Sequence, residues 1–327
     1  MLYAAHESRD QVSAKRLRSR AQRGEIMQVY RGVYLDPEGT NPDSLTSDLK
    51  HVIRLAALSH TLSTSVVSGV SAALLHGLPV PWKHCRVPVT VTRASGGTGS
   101  RWLRVRDGEL SEDEIVTVHG IRATSLHRTL RDLHEVLGPD DLLAAADMAL
   151  HLGVDLSEIP SGSRHAQGMR RLREHASLLS ESPTESRSRS ILLRFGVPAP
   201  TPQLEVLDDR GNLLGRGDLG WPAFATIGEY DGRSKYGELL APGVTATDAI
   251  FAEKDRETDI RNQGWQFARW GSELLKDPIR LVDTVNRALE IGKSLPPLRG
   301  SYRQGTPRRR VAPDFSPLFA QVRSLAA

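Results

Sequence analysis

A chain of 327 residues is too long for one ordinary core and suits two or three domains. With 39% hydrophobic and 25% charged residues it has a soluble globular makeup, and no apolar run approaches bilayer-crossing length. The single cysteine, Cys85, excludes an internal disulfide and a cysteine-built zinc site, and MLYAAHESRDQVSAKRLRSR lacks the apolar core of a signal peptide, so a cytoplasmic protein without a membrane partner is expected.

The net charge of +4 is unevenly laid out. Residues 1–35 carry seven Lys/Arg against three Asp/Glu, and residues 294–327 carry six Arg against Asp314 alone, which leaves an acidic middle. Basic ends on an acidic body suit contact with a polyanion at the ends; the alternative is a solvated tail and an ordinary charged helix. Linker compositions fall at Asp36–Leu45, Ser157–Arg164 and Ser294–Pro313. They delimit a module over 1–36, a middle domain over 46–155, a third domain over 180–293 and a basic tail over 294–327, with a last short helix near Pro317–Leu325.

The first module opens with a basic helix, Val12–Arg23, closed by Gly24 where a left-handed residue is wanted. Glu25–Val29 and Tyr30–Leu35 then read as a strand pair with Gly32 between aromatics. A basic helix followed by a hairpin is the second half of a winged helix, and there Lys15, Arg16, Arg18, Arg20 and Arg23 reach phosphates or a major groove. The alternative is a cap packed on the next domain. In the middle domain the periodicity predicts helices over Leu49–Leu62, Ser68–Leu75, Ser125–Leu137 and Leu142–Leu152, and a strand over Val87–Thr92. Its histidines (among them His51, His76 and His119) stand singly, without metal-ligand spacing, and read as surface or hydrogen-bonded core residues.

The order VYRGVYL, SGVSAALLHGLP, VPVTVT, GIRATSLHRTLRDL and AAADMALHLG resembles the AbiEi family of type IV antitoxins over about half the chain. The resemblance implies a winged helix joined to a larger domain, DNA binding by the first module, and a cognate toxin as partner. The sequence ahead of Val12 is shorter than that pattern.

The third domain contains Gly215–Gly232, with a turn in Trp221–Ala225 and Pro222 at an early turn position. With the turn centred between Ala223 and Phe224, antiparallel partners have numbers that sum to 447. Asp218 then lies across from Glu229 and Arg216 across from Asp231, with β-carbons roughly 5 Å apart on a shared face. Three crowded carboxylates repel and are costly to desolvate, and a divalent cation, Mg²⁺ or Mn²⁺, turns that repulsion into coordination. The alternative pairs Arg216 with Asp231 and leaves the other acids solvated. Glu185 has two readings: the third position of a capping box begun by Ser182 and Pro183, or a further acid at the metal site. Gln203–Leu207 is the entering strand, Thr247–Gln263 a helix ended by Gly264, and Trp265–Trp270 a strand. The order α-β-β-β-α-β gives a mixed sheet flanked by helices.

The motifs SPTESRSR, PQLEV, GRGDLGW, GEYDGRSKYG and EKDRETDIRNQGWQFARW, in that order over about 90 residues, resemble the PD-(D/E)XK superfamily, closest to domains related to the very-short-patch-repair endonuclease. The resemblance implies metal ligation by Asp218 and Glu229, with Asp231 at the position of the motif lysine. Lys254 is then the best substitute for that lysine and Lys235 the second, while Arg256 is placed to contact a phosphate. The expected fold class is α+β multidomain: a winged-helix-like module, an α/β middle domain and a restriction-endonuclease-like α/β domain with a mixed sheet. The expected function is a Mg²⁺-dependent DNA endonuclease with Asp218, Glu229, Asp231, Glu185 and Lys254 at its site. The alternative is an antitoxin-like DNA-binding regulator whose nuclease-like domain is inactive or serves partner binding.

Overall fold

The computed structural model describes residues 2–4, 11–36, 44–62, 64–159, 166–232 and 245–326. The chain divides into two compact units, residues 1–174 with 311–327, and residues 175–310. The architecture is α+β with mixed sheets.

The first unit begins with β1 (Leu2–Ala4), α1 (Gln11–Gln22), β2 (Met27–Tyr30) and β3 (Val33–Leu35), in a sheet of order β1-β3-β2. Helix α1 stops at Gly24, whose φ of +74° is the left-handed conformation that glycine adopts without a Cβ penalty. The hairpin is docked on the rest of the unit: β2 packs against α2 (Ser47–Leu58), and the Tyr30 ring meets those of Trp102 and His60 edge-on.

Beyond α2 come β4 (Val66–Val67), α3 (Gly69–Leu75), α4 (Trp82–Cys85), β5 (Val89–Arg93), β6 (Leu103–Asp107), β7 (Ile115–Val118), β8 (Ile121–Thr124), α5 (Leu126–Leu133), α6 (Pro139–His151) and α7 (Ala166–His175). The strands form a mixed sheet of order β6-β5-β4-β8-β7. Helices expected over Leu49–Leu62, Ser68–Leu75, Ser125–Leu137 and Leu142–Leu152 form as α2, α3, α5 and α6, with shifted ends. Helix α2 ends at Leu58 because a 3₁₀ turn takes over at Ser59–Thr61.

The second unit holds α8 (Pro183–Arg194), β9 (Thr201–Leu207), β10 (Leu213–Trp221), β11 (Thr226–Tyr230), α9 (Ala246–Asn262), β12 (Gln266–Trp270), α10 (Ser272–Leu275), α11 (Pro278–Lys293) and β13 (Ser301–Gln304). The order from α8 to β12 is α-β-β-β-α-β, as the pattern predicts. Strands β9, β10 and β11 form an antiparallel meander, and β12 joins β11 in parallel after the α9 crossover, giving the order β12-β11-β10-β9-β13. Apolar residues cover both faces of the sheet. Leu219, Trp221 and Trp270 pack with Ile191 of α8 and Leu281 and Val285 of α11, while Leu204, Ile227 and Phe267 pack with Ile260 of α9. Each such side chain contributes about 1.5–3 kcal/mol on burial, so the helices are held to the sheet mainly by these contacts.

The segment expected as a separate basic tail is divided instead. Strand β13 pairs with β9 at the edge of the second unit's sheet. Helix α12 (Ser316–Ala326) belongs to the first unit, where Phe319 is fully buried and stacks on His119 at 5.8 Å between ring centroids.

Candidate functional site

The hairpin of β10 and β11 pairs Leu219 with Gly228, Gly220 with Ile227 and Trp221 with Thr226, the register deduced from the turn position. A 3₁₀ turn at Pro222–Phe224 and a left-handed Ala225 (φ +42°) reverse the chain. Continued outward by one pair, this register sets Asp218 across from Glu229. The backbone ladder has ended there, and the Asp218 carboxylate takes over by accepting the Tyr230 N–H at 2.8 Å.

Glu229 is held by cations from two elements. Its Oε1 lies 2.8 Å from an Arg256 nitrogen on α9, and its Oε2 lies 2.8 Å from an Arg269 nitrogen on β12. Glu253 Oε1 binds both arginines, at 2.6 and 3.0 Å, and Glu257 binds Arg269 at 3.0 Å. Burial works to raise the Glu253 carboxyl, yet the hydrogen bonds and charges of Arg256 and Arg269 outweigh it, so Glu253 titrates below its ordinary value. The Arg256 guanidinium is pushed further up, chiefly by its hydrogen bonds to Glu253 and then by the charge of Glu229.

Asp231 lies just past the end of β11, exposed, with its backbone N–H on the Trp270 carbonyl. Its expected cross-strand neighbour Arg216 turns elsewhere and pairs with Glu181 at 2.6 Å. Among the described residues no three His, Cys, Asp or Glu gather as metal ligands. Both oxygens of Glu229 are occupied by guanidinium groups and Oδ2 of Asp218 by a backbone N–H. As arranged, these residues do not fit a divalent cation.

Glu185 takes the capping role. Ser182 is the N-cap of α8, its Oγ accepts the Glu185 N–H and donates to Glu185 Oε1 at 2.7 Å, and Glu185 Oε2 accepts the Glu181 N–H. The same oxygen accepts the Gln203 side-chain amide at 2.9 Å. Burial raises the Glu185 carboxyl above its ordinary value. Gln203 is a residue that sequence reasoning placed only as part of a strand. It is buried, it has φ +52° inside β9, and the β9–β10 register sets it across from Asp218. A non-glycine residue in that conformation is strained, and such residues concentrate at functional sites. Glu185, Gln203, Asp218 and Glu229 thus form one row along the sheet and its leading helix. Arg269 was also missed; its signal was the one charged residue in the strand QFARW.

Lys254 does not join this row. The face of α9 turned to the sheet is marked by Glu253, Arg256, Glu257 and the buried Ile260, at helical spacing, and Lys254 lies about a quarter-turn off it, exposed. Lys235 lies outside the described residues. Arg256, expected as a phosphate contact, is engaged by Glu229 and Glu253.

On α1, Lys15, Arg16 and Arg18 are exposed and have no acidic partner among the described residues. Arg20 pairs with Glu25 and Asp36, and Arg23 pairs with Glu25. The five cations therefore split into three open to a ligand and two that tie the helix to the hairpin and its exit. The chain matches no protein-family model, and no curated protein is significantly similar to it.

Proposed function

We propose that the chain is a DNA-binding protein that docks on the duplex through α1 and the β2–β3 hairpin, as an antitoxin-type regulator does. The observation that carries this reading is the trio Lys15, Arg16 and Arg18, exposed and without an acidic partner among the described residues, on a helix that leads directly into a hairpin. The sheet order β1-β3-β2 supports it, because a winged helix sets its reading helix between the first and second strands of such a sheet. Free cations on one helix gain affinity by releasing counterions from phosphates, so the binding is salt-dependent. Arg20 and Arg23, spent on acids, serve to orient the helix.

The test is fluorescence anisotropy with a duplex across a salt series, on the full chain and on a Lys15→Ala/Arg16→Ala/Arg18→Ala variant. The slope of log affinity against log salt is expected to flatten by up to roughly 3, about 0.9 for each phosphate that the variant no longer neutralises. An unchanged slope removes α1 as the docking helix.

A second reading, DNA endonuclease, is favoured by a separate observation. The α-β-β-β-α-β order with β11 and β12 parallel is the topology that the restriction-endonuclease-like resemblance implies, and the register sets Asp218 across from Glu229. A Mg²⁺ or Mn²⁺ ion would supply water activation and charge stabilisation to such an enzyme. No hydrolytic step follows from Asp218 and Glu229 as they are arranged, since Arg256 and Arg269 occupy the second of them. Shared topology leaves activity open. Supercoiled plasmid incubated with Mg²⁺ or Mn²⁺ decides it: nicking by the wild type, lost in both Asp218→Ala and Glu229→Ala, establishes the nuclease. Equal activity in all three, or none, leaves the second unit as a binding domain.

A further inference from the structure

We infer that Arg256 and Arg269 stand in for a divalent cation beside Glu229, so that the acidic hairpin is closed to metal ions while these two guanidinium groups remain. Burying a carboxylate is costly without a compensating charge, and some positive group must supply it. Here the compensation is complete within the protein. Each oxygen of Glu229 has an arginine nitrogen at 2.8 Å, and its side chain is only 13% exposed.

The clamp is itself braced. Glu253 Oε1 binds both arginines, and Glu257 binds Arg269 through one oxygen and Arg261 through the other. Within this clamp three acids meet three arginines, and the neighbouring Asp218 carboxylate is engaged by the Tyr230 N–H. A cation entering beside Glu229 would have to strip both oxygens and then sit next to two fixed positive charges. At such distances in a partly buried site that repulsion is large. Deprotonation offers no way out, because Arg256 holds its proton more firmly than an ordinary arginine. The inference concerns the acidic hairpin alone. It stands apart from DNA docking by α1.

Isothermal titration of Mn²⁺ into the full chain tests it. The set comprises wild type, Arg256→Gln, Arg269→Gln, the double variant, and the double variant with Glu229→Gln added. The wild type is expected to show no saturable binding that depends on Glu229. The double variant is expected to bind Mn²⁺ roughly tenfold tighter or better, and Glu229→Gln is expected to abolish the gain. If the double variant does not fold, each single variant frees one Glu229 oxygen and is read the same way. Two results overturn the inference: wild-type binding as tight as that of the variants, or a gain that survives Glu229→Gln. Because the readout is binding, a clamp that fails this test is distinguished from a nuclease that fails the plasmid assay.

Discussion

Gly292→Ala is expected to destabilise the second unit by about 3 kcal/mol, although the same exchange in an open helix stabilises by about 1 kcal/mol. Gly292 lies in the last turn of α11, where the helix passes over the turn between β10 and β11. A Cβ built there lands on the Phe224 carbonyl oxygen, well inside van der Waals contact, and close to Thr226 Oγ1. Neither neighbour can retreat cheaply. The first is backbone, and the Thr226 hydroxyl is shared between the Phe224 and Ala288 carbonyls, which ties the hairpin to the helix. Denaturant unfolding followed by tryptophan fluorescence measures the effect, as a lower midpoint at unchanged m. Glu290→Ala on the exposed side of α11 serves as the near-neutral comparison. A variant as stable as the wild type would mean that α11 does not approach the turn so closely. The hairpin that carries Asp218 and Glu229 would then lose its main brace.

The legible parts of this fold are those where periodicity, caps and turn chemistry agree. Ser182-Pro183-Thr184-Glu185 announces the start of α8, and Ser182 and Glu185 do exchange capping bonds. The hairpin register follows from the turn position alone, since a period of two leaves little choice once one pair is fixed. Strands β6, β7 and β8 were not legible. LRVRD and IVTV are edge strands of five and four residues with no fully buried position, so neither presents an apolar face strong enough to stand out. Strand β6 pairs on β5, β8 on β4 and β7 on β8, and that is a tertiary fact. The β7–β8 turn carries a cue, since His119 and Gly120 both have positive φ, but histidine is an unusual residue for the first of those positions. Strand β13 is similar: Ser301–Gln304 is wholly exposed and has no apolar face to betray it.

For the candidate site, sequence distance along the hairpin was informative and charge compensation was not. The spacing located Asp218 and Glu229 across from each other. It was silent on which cation answers them, because Arg256 and Arg269 lie 27 and 40 residues beyond Glu229 and arrive by the α9 crossover. A crowded acid invites a metal or an arginine on equal physical terms, and only the fold tells which side chains reach. Lys254 shows the same dependence on the fold. The resemblance made it the best substitute for the motif lysine, and the helical period turns it away from the sheet.

Acid is expected to weaken the first unit by about 3 kcal/mol between pH 6.5 and pH 4, through His51 on α2. His51 is fully buried, and burial pushes its imidazole down to about 4 from an ordinary 6.5. Its hydrogen bonds fix the neutral form. Nδ1 faces the Cys85 carbonyl at 3.0 Å, which can only accept, so Nδ1 carries the proton. Nε2 then accepts from Ser71 Oγ at 2.8 Å, while Ser71 Oγ accepts the Thr90 N–H. A second ring proton at Nε2 would meet a hydroxyl hydrogen already aimed at it. The unfolded chain takes up a proton near 6.5 and the folded chain holds out to about 4, so the unfolded state binds more protons in between. Stability is therefore complete above pH 6.5 and falls as the pH drops through that window, with about 2 kcal/mol already gone at pH 5. Urea unfolding at pH 7 and pH 5, on the wild type and His51→Gln, isolates the effect. The variant is less stable at pH 7, because glutamine cannot make both bonds, yet it should lose much less on acidification. Some slope should persist, since burial lowers His76 as well. A wild-type midpoint that does not move between the two pH values would mean that the ring is hydrated or already charged. The chain of bonds from Cys85 through His51 to Thr90 would then have to run in another direction.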